Sequence, residues 1–239
     1  MNAQATSHRH FHDELSELKV ALLNMSGDAQ AALAAAVEAV RQRDGVKARE
    51  VIAGDRDVDR LEVEVEETVI RLLATQQPMA RDLRFLAAAM KIANDLERVG
   101  DHAVNIAQSA ERLLASRPIV PEPELVEMAR QARTMLADAL DAFVRGDAQA
   151  GRAICRRDDS VDALHQSMFR ILLTHMMEDP HIIGTAMELF LVSRNLERVA
   201  DLATNIAEDV VFLVEGKSIK HHAEDSAIER GTGGGGKSR

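Results

Sequence analysis

The chain has 239 residues, no Trp or Tyr, 3% aromatics and a formal net charge of −10. That length can bury one large core or two smaller ones, and a wealth of Ala, Leu, Val, Glu and Arg favours long helices over sheets. The acidic balance, with no broad basic cluster, excludes nucleic acid as a natural partner and suits cations or a basic patch on another protein.

The first eighteen residues, MNAQATSHRHFHDELSEL, lack the apolar stretch of a secretion signal. Residues 1–10 read as a disordered lead-in. No run approaches the ~18 apolar residues needed to span a bilayer, so a cytoplasmic protein is expected. Apolar periodicity, interrupted at Asp44-Gly45 and Pro78, predicts helices over 11–43, 46–76 and 79–115. Residues 116–124, SRPIVPEPE, hold three of the five prolines and read as a stiff linker. Beyond it, breaks at Gly146-Asp147 and Pro180 predict helices over 122–145, 147–177 and 181–215. Cys155 stands alone, which excludes an intrachain disulfide and suggests a half-buried structural thiol. Residues 218–239 read as a flexible tail ending in GTGGGGKSR. Those letters satisfy G-x-x-x-x-G-K-S, but no strand delivers them and no helix follows to receive a phosphate, so no nucleotide is expected.

The halves are related. GDRDVDRLE at Gly54–Glu62 corresponds to RRDDSVDALH at Arg156–His165, and NDLERVGDHAVNIA at Asn94–Ala107 corresponds to RNLERVADLATNIA at Arg194–Ala207. The expected fold is therefore all-α, with six long helices in two tandem three-helix bundles, residues 11–115 and 125–217. Phe85, Ala89, Ile92, Leu96, Val99, Ala103 and Ile106 step by four and three, as a bundle seam does. Leu189, Val192, Leu196, Val199, Ala203 and Ile206 repeat the pattern, and Val58, Leu61, Val65 and Leu72 belong to the second helix's seam.

Four carboxylate pairs occupy equivalent positions in the repeats: Asp55 with Asp59, Glu97 with Asp101, Asp158 with Asp162, and Glu197 with Asp201. Each is spaced i, i+4, which places like charges on one helix face, where they repel. Folding the second and third helices about Pro78 brings Asp55/Asp59 to the height of Glu97/Asp101. Folding about Asp179-Pro180 does the same for the second set. Two readings stay open on spacing alone: a solvated acidic edge neutralised by Arg98 and Arg198, or a hard-cation site with all-oxygen ligands suited to Fe(III), Mn or Mg. Asp162 and His165 faintly echo a Glu-x-x-His di-iron element, but Glu62 replaces the histidine in the first repeat.

From about His12 to Lys217 the chain resembles the PhoU family of phosphate-specific transport accessory proteins. The resemblance rests on TQQPMARDLR at Thr75–Arg84, HMMEDP at His175–Pro180, and the doubled NDLERVGDHAVNIA and NLERVADLATNIA segments, which carry the family's E(D)xxxD signature. It implies two three-helix bundles, a homodimer, and multinuclear metal clusters of iron, or of manganese, magnesium or zinc, on the eight paired carboxylates. It further implies a negative regulator of phosphate uptake and phosphate-starvation signalling. Such a regulator contacts the ATPase subunit of the phosphate ABC transporter and a sensor histidine kinase, and reaches the membrane only through them. The alternative is a di-metal carboxylate enzyme within a helical bundle. The glycine-rich tail is not part of the family pattern.

Overall fold

The computed structural model describes residues 2–118 and 123–219. The P-loop-like letters and most of the tail lie outside the described residues. The helices are α1 (Asn2–Gln42), α2 (Gly45–Gln76), α3 (Ala80–Leu114), α4 (Pro123–Arg145), α5 (Ala148–Cys155), α6 (Asp158–Glu178) and α7 (Ile183–Glu215), with a 3₁₀ turn at Pro180–Ile182 leading into α7. Together α5 and α6 form the fifth of six long rods.

Local chemistry sets the ends. Asp44 precedes α2, and its carboxylate accepts from the Val46 and Lys47 N–H groups; Asp147 precedes α5 and accepts from Ala150 N–H at 2.9 Å. Both satisfy donors that a helix start leaves without partners. The residue before each cap adopts the left-handed conformation, Arg43 at φ 54° and Gly146 at φ 63°. Arg43 tolerates this while its guanidinium binds the carbonyls at the end of α3, Leu113 O and Ser116 O. A cation there complements the negative end of the helix dipole.

Two helix boundaries need correction. The helix expected from residue 11 begins at Asn2. MNAQATSHRH contains neither Gly nor Pro to stop it, and once later turns are packed, propagation costs little. The helix expected over 147–177 breaks at Arg156-Arg157, where Arg157 N–H bonds Ile154 O at 2.8 Å. The break falls directly before Asp158 and gives α6 an acidic first turn, Asp158 and Asp159, as the helix dipole favours. The uninterrupted α2 has Gly54 at the equivalent place.

In each half the hairpin closes on a third helix: α1 on α2 and α3, and α4 on α5, α6 and α7. The two halves meet chiefly where α3 packs on α7, with α1 also touching α4. One continuous apolar cluster runs through both. Every residue of the α7 seam is buried, as are Ala89, Ile92, Leu96, Val99, Ala103 and Ile106 on α3. Phe85 and Leu61 are half-buried at the edges, and Phe85 stacks on Phe143 at 5.9 Å between ring centres. Cys155 is half-buried, and its thiol is pushed up to about 11, chiefly by burial.

Among the described residues one helix, over His10–Gln42, is long and apolar enough by length and composition to cross a membrane, its most apolar 18-residue window having a mean hydropathy of 1.3. This amends the expectation that no run approached that length. Alanine supplies much of that hydropathy, and Leu18, Leu22, Met25 and Leu33 of the same helix are buried in the bundle.

Candidate functional site

The hairpins bring the predicted carboxylates together in two sets. In the first repeat, Asp55 and Asp59 come from α2 and Glu97 and Asp101 from α3. Asp55 and Glu97 are half-buried, whereas Asp59 and Asp101 are exposed. α3 comes close to Asp55 because residue 100 is glycine: a Cβ there would lie 3.4 Å from Asp55 Oδ1. Glu97 is pushed up to about 7, first by burial and then by the charges of Asp101, Glu62, Asp59 and Asp55. Asp55 is raised by burial and by Asp59 and Asp101.

Glu62 is thus a fifth carboxylate of this set, absent from the sequence expectation. Asn94 donates to it at 3.2 Å. Its equivalence to His165 was the available signal.

In the second repeat Asp158 and Asp162 come from α6 and Glu197 and Asp201 from α7; all four are half-buried. Asp158 is pushed up to about 6 by burial and by Asp201, Asp162 and Glu197. Glu197 and Asp201 are also raised, burial leading in both. Here, however, a cation intervenes. Arg198 lies 2.8 Å from Asp201 and 3.4 Å from Glu197. Its counterpart Arg98 instead approaches Asp95, at 3.8 Å. Position 95 is a buried aspartate, whereas the equivalent position 195 is asparagine, which offers no charge to hold Arg198 away from Asp201.

Do these residues fit a metal ion? Their donors are oxygens, which suits hard cations. Asp158 Oδ1 is buried without a hydrogen-bond partner; Thr204 is near enough to lower its pKa, yet the Thr204 hydroxyl makes no well-formed bond either. A buried acceptor so poorly satisfied is open to a water or a cation. Yet among the described residues no three His, Cys, Asp or Glu side chains stand at metal-binding distance. The donor chemistry fits, and an ion would have to draw repelling carboxylates inward. His165 does not extend the set toward a di-iron pattern: it bonds Ser193 Oγ at 3.1 Å and stacks on Phe190 at 5.3 Å.

Between the two sets, α3 and α7 cross antiparallel. Lys91 meets Asp209 at 3.2 Å, His102 meets Asn195 at 2.9 Å, and Arg112 meets Glu188 at 2.7 Å.

The repeat architecture now has an external match. The PhoU domain model matches twice, over residues 22–110 and 125–210. The chain belongs to the PhoU family. It is 40% identical over 210 residues to a phosphate-specific transport system accessory protein PhoU homologue of Caulobacter vibrioides, covering 87% of this chain and 91% of the relative. It is 34% identical over 220 residues to the PhoU accessory protein of Serratia marcescens, covering 92% and 90%. Among solved structures, PhoU from Pseudomonas aeruginosa superposes with a TM-score of 0.83 at 35% identity, covering 87% of this chain and 100% of that one. The phosphate transport system regulatory protein PhoU from Streptococcus pneumoniae gives 0.82 at 30% identity, covering 88% and 99%. The family is one of regulatory accessory proteins and not of enzymes, which removes the di-metal enzyme alternative.

Proposed function

We propose that the protein is a cytoplasmic regulatory accessory protein of a phosphate transport system that restrains uptake and starvation signalling when phosphate is plentiful. The observation that carries this reading is the double domain match along relatives of nearly the same length that bear that description. In this reading it acts by docking as a homodimer on the ATPase subunit of the phosphate ABC transporter and on a sensor histidine kinase. The tip of the second hairpin supports a docking role: Phe169, Leu173, Met177, Ile183 and Met187 are all exposed there, Met177 to 78%. Exposed apolar side chains gathered on one end of a charged protein suit a protein partner.

The two carboxylate sets act in this reading as structural metal centres: Asp55, Asp59, Glu97 and Asp101 would hold ions in the first, and Asp158, Asp162, Glu197 and Asp201 in the second. A bound cation supplies charge neutralisation. The chain's own part is to hold the four carboxylates of each set at one height on two helices, so that occupancy stiffens the hairpin. Deleting the gene and measuring alkaline phosphatase in high phosphate tests the function. Raised activity is expected, and unchanged repression would reject the regulator.

A further inference from the structure

A cleft of about 500 Å³ opens at the α3–α7 crossing, and its chemistry is opposite to that of the chain as a whole. Arg98, Arg112, Arg194 and Arg198 line it together with His102 and Asn195, and no carboxylate is among its lining residues. In a protein of net charge −10, four guanidinium groups converging on one concave surface from both repeats are not a general surface property.

The four arginines are held to different degrees. Arg112 is fixed by Glu188 at 2.7 Å and by Ser109 Oγ at 3.0 Å. Arg198 is fixed by Asp201 at 2.8 Å. Arg98 lies 3.8 Å from Asp95, beyond hydrogen-bonding distance. Arg194 is exposed and its charge acts on Glu197 and His165, but no ion pair or hydrogen bond fastens it among the described residues. Each guanidinium carries five N–H donors in a planar fork, so one carboxylate partner leaves donors over. His102 is placed by Asn195, whose amide N–H₂ bonds Leu191 O at 2.8 Å and so turns its oxygen toward the ring. Arg98 and Arg198, one from each repeat, line the same cleft around His102, so guanidiniums from both halves face a common space.

We propose that this cleft is a binding site for a small tetrahedral oxyanion of the phosphate class, gripped by Arg98 and Arg194 and flanked by the anchored Arg112 and Arg198. Paired guanidiniums recognise such oxygens through two parallel charge-assisted hydrogen bonds each. The cavity is several times the size of one phosphate, so an ion enters with part of its hydration. Because the walls come from α3 of one repeat and α7 of the other, the ligand bridges the halves. The site stands on the cleft alone. Failure to bind phosphate would leave the accessory-protein reading intact.

The test is isothermal titration of the full-length protein, treated with EDTA, with inorganic phosphate at constant ionic strength, and with sulfate and chloride in parallel. Saturable phosphate binding is expected, with the dissociation constant raised at least tenfold in Arg98→Ala/Arg194→Ala and partly recovered in Arg98→Lys/Arg194→Lys. Arg130→Ala, on α4, is expected to leave binding unchanged. Sulfate binding at the same site supports the oxyanion class. Phosphate binding no stronger than chloride, or binding equal in the double alanine variant with an unchanged circular dichroism spectrum, overturns the proposal. So does binding abolished by EDTA, which would assign phosphate to bound metal.

Discussion

Arg198 is bonded to Asp201 at 2.8 Å, while Arg98, its equivalent one repeat earlier, leans toward Asp95 at 3.8 Å. Asparagine at position 195, in place of Asp95, makes the two carboxylate sets electrostatically unequal. The second is partly neutralised from within the protein, and the first is left with five mutually repelling acids. Replacing Asp95 by Asn should release Arg98 toward Asp101 and lower the titration of Glu97 from about 7. Carboxyl chemical shifts followed by NMR would show it, and an unmoved Glu97 would reject this account of the asymmetry.

The raised carboxyls also fix the sign of the pH dependence. Glu97 is raised from 4.5 to about 7 and Asp158 from 3.8 to about 6, so between those limits the folded state binds more protons than the unfolded one. Stability then falls as pH rises through that window, with no penalty below the unfolded values and the full penalty above the folded ones. Thermal melts in EDTA should show Tm declining from about pH 4 to about pH 7, the range set by those shifts, and levelling off above it. Glu97→Gln should flatten the decline. A Tm that rises over the same interval would contradict it.

Metal occupancy predicts the opposite behaviour. Divalent or trivalent cations should raise Tm at pH 8, where the carboxylates are charged, and have little effect at pH 5, where protons compete for the same oxygens. Elemental analysis should find metal lost from Glu97→Ala/Asp101→Ala and Glu197→Ala/Asp201→Ala, each at its own set. Unchanged content in both double variants would remove the metal centres.

Two glycines test the packing in opposite directions. At Gly151 an added Cβ would sit 2.8 Å from Ala207 O, so Gly151→Ala should force α5 from α7 and cost ~1–3 kcal/mol. At Gly54, within α2, a Cβ meets nothing within 4 Å, so Gly54→Ala should stabilise by ~0.5–1 kcal/mol through helix propensity. Urea unfolding of the two variants provides the comparison.

Much of the fold was legible because strong local signals agreed. Capping aspartates, prolines and a four-and-three apolar rhythm all mark the same boundaries, and the tertiary core follows the α7 seam residue for residue. The carboxylate sets were legible because duplication showed which acids share a face. The break at Arg156-Arg157 was not, since two arginines carry no breaking chemistry and the equivalent stretch of α2 is unbroken. Glu62 was passed over because its partner in the other repeat is histidine. The arginine cleft was only half legible: duplication marks Arg98 and Arg198 as equivalent cations beside the acids, but their convergence with Arg112 and Arg194 joins helices 100 positions apart in sequence, which no local signal shows.

The joint between the repeats has a mechanical consequence. Leu96, Val99, Leu196 and Val199 are sealed in one shared interior, and Lys91–Asp209 and Arg112–Glu188 fasten the crossing on either side. The peptide connection near Pro118 is therefore not what keeps the halves together. Severed between residues 118 and 123, the two fragments should stay mated in a one-to-one complex through gel filtration, and they should separate only when both unfold.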